Sequence, residues 1–266
     1  MDTVEMLPVK RITKEGASST DQEVATEFLV TIFLNGKEMA TLLCSPKDLN
    51  YLAVGFLVSE GLLKSKDEIK KIEIDDWLGV VRIEIEGSPA PDSRLFAKRL
   101  IASGCGGAAT FYSGDDATIP KVKSQMKISA DEIFALVNKF QHSSEVYLAT
   151  HGVHSAALCD KKSMLVFNED IGRHSAIDKI FGKCLLEDIP IKKRLIVSSG
   201  RITSEILHKV ARRGVPILIS ISAPTSLGVK IANELGITLV GSVKGKKMNV
   251  YTHDWRVSCR KVGMLS

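Results

Sequence analysis

Residues 195–243 read LIVSSGRITSEILHKVARRGVPILISISAPTSLGVKIANELGITLVGSV, and within them short apolar runs alternate with amphipathic runs. The apolar runs are rich in Ile, Leu and Val, which is typical of buried strands, and the amphipathic runs begin with Ser, which favours a helix N-terminus. Strands that alternate with helices pair in parallel through right-handed crossovers. The segment therefore predicts strands at 195–198, 217–222 and 238–243 and helices at 204–213 and 226–235.

The residues before this segment extend the predicted sheet. A tight turn at 160–162 joins two apolar runs, which predicts antiparallel strands at 152–159 and 163–168 on the edge of the sheet. Helical patterns cover residues 129–140 and 173–186. Together these elements predict a three-layer α/β/α domain with a mixed sheet over residues 101–266.

The first part of the chain predicts a small α+β domain over residues 21–100. Apolar runs on both sides of Asn35-Gly36 predict a β-hairpin, and the next apolar pattern predicts a helix that ends near Gly61. Residues 1–20 are polar and aperiodic, so we expect a flexible N-terminus there.

The composition is that of an ordinary globular protein. The chain has 266 residues, of which 44% are hydrophobic and 25% are charged. Five cysteines without close paired spacing argue against a secreted disulfide framework and for a reducing compartment. The N-terminus lacks the pattern of a signal peptide, and the longest uncharged stretch, 214–229, is too short to span a bilayer. We therefore expect a cytoplasmic protein that does not enter a membrane.

Basic residues are concentrated near the C-terminus. Residues 244–261 contain six lysines or arginines and one acid, Asp254. Such a cluster is either a solvated face or a place that receives phosphates. The aromatic residues of the cluster, Tyr251 and Trp255, do not alternate with its basic residues as in a platform for single strands, and the chain has no helix-turn-helix or zinc-finger pattern, so we do not expect nucleic acid to bind.

One cysteine lies in an unusually permissive stretch, SGCGGAAT at 103–110. Glycines around Cys105 permit positive φ and remove side-chain cover, so that amide hydrogens can face an anion while the sulfur stays accessible. Free cysteines are more often small buried hydrophobic residues, and this interpretation fits three that lie in apolar segments: Cys44, Cys159 and Cys184. Cys259 is compatible with either interpretation. We predict that Cys105 is the reactive thiol.

Polar residues follow the predicted strands, where parallel sheets bind ligands. Residues 198–205 and 222–226 are rich in hydroxyl groups, and the first of these segments also contains Arg201. The same Ser and Thr residues are also ordinary helix caps. The run EDIGRHSAIDK at 169–179 follows another strand. We predict that Arg173 or His174 lines a ligand cleft, although these residues would also suit the start of an amphipathic helix.

Two histidines, His151 and His154, have the spacing of a possible metal-ligand pair. No Cys-x-x-Cys lies nearby to complete a tetrahedral site. The sequence therefore predicts no bound metal.

Taken together, seven motifs resemble the FdhD/NarQ family. They are LAVGFLVSEGL (52–62), SGCGG (103–107), GVHSAAL (152–158), EDIGRHSAIDK (169–179), SGRITSE (199–205), SAPTSL (222–227) and VYTH (250–253). The resemblance implies a cytoplasmic sulfurtransferase that is required for formate dehydrogenase activity. Members accept persulfide sulfur from a cysteine desulfurase and pass it to the molybdenum cofactor, as bis-molybdopterin guanine dinucleotide, before that cofactor enters the apoenzyme.

The resemblance also implies a cytidine-deaminase-like fold for the second domain and a homodimer. The chain lacks the His-x-Glu and Pro-Cys-x-x-Cys signature of the zinc deaminases, so zinc-dependent deamination is not expected.

By the same resemblance, Cys105 matches the first cysteine of the family's Cys-x-x-Cys and would hold the persulfide. The second position is Ala108, so sulfur transfer would use Cys105 alone or enlist Cys259. The cofactor-binding residues implied or predicted are Arg173, His174, Arg201, Ser242, Val243, Lys244, Gly245, Lys246 and Lys247. The alternative function is a non-catalytic chaperone that only escorts the molybdenum cofactor.

Overall fold

The computed structural model describes residues 1–87, 99–101, 109–111 and 119–259. Cys105 and Ala108 lie outside the described residues. The chain divides into two compact units, each assembled from separate stretches of sequence. Unit 1 comprises Met1–Ser113, Ser144–Ser155 and Asn168–Glu187, and unit 2 comprises Gly114–Ser143, Ala156–Phe167 and Asp188–Ser266. This division differs from the predicted boundaries at residues 20 and 100, because residues 168–187 pack within unit 1.

Six α-helices form in the described residues: α1 Leu49–Ser59, α2 Ala130–Gln141, α3 Glu145–Thr150, α4 Arg173–Leu186, α5 Ser204–Arg212 and α6 Ser226–Leu235. Two short 3-10 helices, Lys66–Glu68 and Asp254–Arg256, complete the helical residues of the described ranges. None of these helices is long and apolar enough to cross a membrane.

The strands in the first half of the chain are β1 Val4–Thr13, β2 Gly16–Ala25, β3 Phe28–Leu34, β4 Lys37–Cys44, β5 Ile69–Asp75, β6 Val80–Ile85, β7 Arg99–Ile101 and β8 Ala109–Phe111. Those in the second half are β9 Ile128–Ser129, β10 His154–Cys159, β11 Met164–Asp170, β12 Leu195–Ser198, β13 Ile217–Ser220, β14 Thr238–Lys244, β15 Lys247–Thr252 and β16 Val257–Ser258.

Unit 1 contains a four-stranded sheet in the order β4-β3-β6-β5. The hairpin predicted at Asn35-Gly36 joins β3 to β4, and β6 pairs in parallel with β3. Inward-facing residues of β3, β4 and β6 form one apolar core with helix α1. Helix α1 in turn packs against α4.

The flexible N-terminus predicted for residues 1–20 stays a prediction, but these residues do have regular structure. These residues form most of a long hairpin, in which β1 pairs with β2 from Val4 opposite Ala25 to Thr13 opposite Gly16. Most side chains on both strands are exposed. A strand that buries neither face has no apolar alternation to detect, which explains why its sequence appeared aperiodic.

Two glycines bring α1 and α4 into backbone contact. A Cβ added to Gly55 would lie 1.7 Å from the carbonyl oxygen of Asp178, and one added to Gly182 would lie 1.9 Å from the carbonyl oxygen of Tyr51. Because the obstructing atoms belong to the backbone, no side-chain movement can relieve such a clash. The close crossing of the two helices therefore requires glycine at both positions.

A buried ion pair lies beside this crossing in unit 1. The ammonium of Lys179 is 2.7 Å from a carboxylate oxygen of Asp170, and neither side chain is more than 1% exposed. Asp170 also accepts hydrogen bonds from the backbone N–H groups of Ser45 and Gly172. Burial raises the pKa of the Asp170 carboxyl, while the ammonium and the two N–H groups act in the opposite direction.

Unit 2 is built on a six-stranded sheet in the order β11-β10-β12-β13-β14-β15. Strands β12, β13 and β14 are parallel, whereas β10 and β15 pair antiparallel with their neighbours. The predicted mixed sheet, with its edge hairpin, is therefore confirmed. Strand β15 was not predicted, although its Met248 and Val250 pack against the apolar core of the unit.

We expect Gly182→Ala to destabilise the protein by about 3 kcal/mol, because the added methyl group must push two backbones apart. At an exposed position inside a helix, the same change would stabilise by up to about 1 kcal/mol. Whether Gly182→Ala lowers or raises the free energy of unfolding therefore shows whether the two helix backbones are in contact there. Urea unfolding followed by circular dichroism measures this free energy.

Gly61→Ala is the matched control. Gly61 has φ +77° and open space around an added Cβ, so only backbone strain of about 1–2 kcal/mol is expected there. A Gly182→Ala protein as stable as the wild type would show that the helices are not held at this distance by backbone contact.

Candidate functional site

The carboxyl ends of β12, β13 and β14 are joined in unit 2 by backbone hydrogen bonds. The N–H of Ile202, after β12, donates to the carbonyl of Ala223, after β13, at 3.3 Å. Thr225 N–H donates back to Ile202 at 2.9 Å, and the N–H of Ser242 donates to Ser222 at 2.9 Å. We call the resulting cluster, formed by residues 199–205, 222–228 and 241–247, the carboxyl-edge site.

Two serine hydroxyls fix the first of these connections: Ser198, which belongs to the hydroxyl-rich segment predicted at 198–205, and Ser220, which sequence reasoning did not single out. Ser198 and Ser220 end β12 and β13 and lie opposite each other in the register. The hydroxyl of Ser198 accepts from the N–H of Gly200, and that of Ser220 donates to the carbonyl of Gly200 and accepts from Ser222 N–H. The sequence does contain a signal for this pair of serines, because the apolar strands LIVS (195–198) and ILIS (217–220) both end in Ser.

The two helices that begin at this site are not equivalent. Helix α5 carries the buried acid Glu205 in its first turn, so a carboxylate already complements the positive end of the helix. Helix α6 has no acid in its first turn, and the hydroxyl of Thr225 caps it by accepting from Gly228 N–H. The N-terminus of α6 is therefore better suited to an external anion than that of α5.

Arg201 is exposed, and the loop that carries it pairs with the segment that leads into α6. Its neighbour Ile202 pairs in parallel with Pro224 in an isolated bridge. The guanidinium is thus carried on the loop that contacts the segment leading into α6. Arg201 and the N-terminus of α6 together supply a cation and free N–H groups to one edge of the sheet.

The predicted phosphate-binding segment 242–247 forms the bulged turn between β14 and β15. Ser242 has φ +55° at an irregularity in the strand register, and Lys244 lies opposite Lys247. Lys244, Lys246 and Lys247 are exposed together with Gly245. Val243 instead lies in the apolar core, so its side chain is not available to a ligand.

Gly241 allows this turn to lie close to the preceding loop. A Cβ added there would approach the ring of Pro224 to 2.9 Å and the ring of Tyr251 to 3.1 Å. Position 241 therefore has no room for a side chain between these two rings.

Arg173 and His174 belong to unit 1, where they begin helix α4. Their side chains are only 5% and 8% exposed. A cavity of about 620 Å³ in the same unit is lined by Ile171 and Gly172, but neither Arg173 nor His174 is among its described lining residues. The prediction that one of them lines a ligand cleft stays a prediction.

The described cysteines divide into buried and exposed thiols. Cys44, Cys159 and Cys184 are buried, as predicted, and Cys259 is exposed. Burial raises the pKa of Cys44 and of Cys159 to about 12, and the neighbouring carboxylates Asp170 and Asp160 add to the respective shifts. These two thiols are therefore poor nucleophiles, because the thiolate is the reactive form.

Within the described ranges, no group of three or more His, Cys, Asp or Glu side chains could hold a metal ion. His151 is the left-handed residue that ends α3, and His154 is the first residue of β10.

The fold and the site define a class: an α/β protein that presents a helix N-terminus, an arginine and several lysines at the carboxyl edge of a mixed sheet. The sequence model of the FdhD/NarQ family matches residues 25–258. The chain belongs to this family.

Curated relatives agree over nearly the whole length. The chain is 44% identical to the sulfur carrier protein FdhD of Bacillus subtilis, covering 90% of this chain and 92% of that protein. It is 42% identical to the protein of the same name from Geobacillus kaustophilus, with coverages of 89% and 90%. A crystal structure of a proposed formate dehydrogenase accessory protein from Desulfotalea psychrophila matches with a TM-score of 0.77 and 27% identity, covering 97% of this chain and 100% of that one.

Alkylation by iodoacetamide at pH 8 should modify Cys259 in the native protein and leave Cys44, Cys159 and Cys184 unmodified. A pKa of about 12 leaves roughly one thiol in 10,000 as thiolate at that pH. Peptide mass spectrometry measures the labelling site by site, and the same reaction in urea, where all five cysteines should react, is the control. Rapid native labelling of Cys44 or Cys159 would contradict this account of their burial.

Proposed function

We propose that this protein is a sulfur carrier that holds persulfide sulfur on Cys105 and delivers it to the molybdenum cofactor for formate dehydrogenase. The carboxyl-edge site is the observation that carries the proposal, because it offers cations and a helix N-terminus to an anionic ligand. The relatives named sulfur carrier proteins support the sulfur chemistry. Among the described cysteines, only Cys259 is exposed, so Cys44, Cys159 and Cys184 are unsuited to the task.

The sulfur-transfer chemistry balances with one thiol. The Cys105 thiolate attacks the outer sulfur of a cysteine desulfurase persulfide, the S–S bond breaks, and the desulfurase cysteine leaves as a thiolate. On delivery, the S–S bond of the Cys105 persulfide breaks and Cys105 leaves as a thiolate. The transferred sulfur takes two electrons from the reduced metal of the substrate cofactor and becomes its sulfide ligand.

Phosphates supply the affinity for the cofactor substrate in this proposal. Bis-molybdopterin guanine dinucleotide carries several phosphates, which suit Arg201, the N-terminus of α6 and the exposed lysines at 244–247. Lysines act as point charges and do not present the rigid fork of arginine. We therefore assign this turn to phosphate contact and not to stacking on the guanine.

The proposal includes partners and a setting in addition to the chemistry. These are a cysteine desulfurase as sulfur donor, the formate dehydrogenase apoenzyme as recipient, a homodimer and the cytoplasm. A cytidine-deaminase-like layering of the sheet and helices is part of the same proposal.

Ala108 is the feature that favours the second candidate, a non-catalytic chaperone that escorts the cofactor. With alanine at this position, no resolving thiol lies three residues from Cys105. Transfer by Cys105 alone is consistent with the balance given above, because the metal and not a second thiol reduces the sulfur.

Cys105→Ser should reduce formate dehydrogenase maturation to background, because the sulfur acceptor is removed. In addition, wild-type protein incubated with a cysteine desulfurase and cysteine should gain one sulfur atom on the peptide that contains Cys105. Mass spectrometry and a formate dehydrogenase assay in cells that lack the native gene measure the two effects.

Cys259→Ser is the matched control, and we expect it to retain both the sulfur adduct and maturation. If Cys105→Ser supports normal maturation and the wild type gains no sulfur, the chaperone function replaces the carrier function. If both single variants abolish the adduct, Cys259 participates in the transfer.

A further inference from the structure

A second polar cavity lies in unit 2, at the amino ends of the parallel strands. Its volume is about 1010 Å³. Its wall includes Arg194, which directly precedes β12, and Gly214, which follows α5, so it opens at the sheet edge opposite to the carboxyl-edge site. The sulfur carrier function proposed above makes no use of it.

This cavity, which we call the amino-edge groove, is strongly basic. Of the described residues that line it, nine are Lys or Arg, and the only acid is Asp160. The carboxylate of Asp160 accepts hydrogen bonds from the backbone N–H groups of Lys162 and Ser163, which lower the pKa of this carboxyl group. The carboxylate therefore already has hydrogen-bond partners within its own turn. One carboxylate engaged in this way cannot neutralise the groove.

Part of this charge has a local explanation. Arg212 and Arg213 lie at the carboxyl end of α5, where cations interact favourably with the helix dipole. The other seven lysines and arginines of the groove do not lie at the carboxyl end of a helix, so the helix dipole does not account for them. In particular, none of the lysines at 121, 123, 127, 192 and 193 forms an ion pair within 4 Å among the described residues.

One segment of the lining, residues 120–127, belongs to no strand or helix. Its exposure alternates: Lys121 and Lys123 are exposed, whereas Val122 and Ser124 face the protein. The inner residues are anchored, since Val122 N–H donates to the carbonyl of Leu235 and the carbonyl of Ser124 accepts from the buried guanidinium of Arg256. The outer row, completed by exposed Lys127, therefore belongs to a segment that is fixed to the protein through its inner residues.

The opposite wall supplies a further donor. The Nε–H of Arg194 is buried and has no hydrogen-bond acceptor among the described residues. Lys192 and Lys193, which precede it, are exposed. An anionic chain in the groove would thus meet cations on two sides.

We propose that the amino-edge groove binds an extended acidic segment of a partner protein. In an extended peptide, side chains on one face repeat at every second residue, about 7 Å apart, and Lys121 and Lys123 are likewise two residues apart in a segment whose exposure alternates. The cations are spread over several segments and not focused on one point, which fits a chain of carboxylates better than a single phosphate. No aromatic side chain is among the described lining residues, so a nucleic acid would lack a stacking platform.

The test measures fluorescence anisotropy of a labelled peptide with Glu at every second residue and Thr between. We expect salt-sensitive binding to the full chain, and at least about ten-fold weaker binding by the triple variant Lys121→Ala, Lys123→Ala, Lys127→Ala. The control variant Lys10→Ala, Lys14→Ala, Lys70→Ala carries the same net charge and should bind like the wild type. All six lysines are exposed, and thermal unfolding verifies that both variants fold.

Two competitors make the result specific. A peptide of the same composition with all Glu residues contiguous should bind more weakly, and a single-stranded oligonucleotide should not displace the alternating peptide at equal concentration. Equal binding by the two triple variants would overturn the proposal. Tighter binding of the oligonucleotide or of inorganic polyphosphate would overturn it in favour of that ligand. None of these outcomes bears on sulfur transfer by Cys105.

Discussion

The buried ion pair between Asp170 and Lys179 is the interaction on which the organisation of unit 1 depends. Asp170 ends β11, and its carboxylate binds Lys179 in α4 together with the N–H groups of Ser45 and Gly172. Residues from two distant stretches of sequence are thereby tied to one carboxylate. Removing one partner of such a pair leaves an uncompensated buried charge, which costs about 3–5 kcal/mol. The glycine contacts between α1 and α4 then fix how closely the two helices pack.

The sheet of unit 2 carries positive charge at both of its edges, in two different arrangements. At the carboxyl edge, serine hydroxyls and backbone hydrogen bonds hold three loops together, and the loop that carries Arg201 pairs with the segment that leads into α6. At the amino edge, lysines and arginines surround a groove whose walls are anchored by Val122 and Arg256. The first edge suits a phosphate-bearing cofactor, and the second suits an acidic chain. Separate edges would let a carrier hold its cargo and contact a protein at the same time.

The sequence predicts the elements that bury an apolar face. Helices α4 and α6 begin and end where their patterns predict, and at α6 the side chain of Thr225 caps the first turn while Gly236, in the left-handed conformation, ends the helix. The β1–β2 hairpin was missed since it buries neither face, and α3 was missed because its six residues are too few for a period to appear. The site was harder to predict. The burial of Val243 depends on tertiary packing, so the sequence does not exclude its side chain from the site. Glu205 is visible in the sequence, but its burial in the first turn of α5, which makes the N-terminus of α6 the better anion position, is not.

The central claim is that the carboxyl-edge site holds the nucleotide part of the cofactor. Hydrogen–deuterium exchange with and without guanosine diphosphate tests it most directly, because exchange reports which backbone N–H groups become protected. We predict slower exchange in residues 222–228 and 241–247, with no change in residues 119–127 of the amino-edge groove. Protection confined to residues 119–127, or no protection at a nucleotide concentration that saturates binding, would contradict the claim.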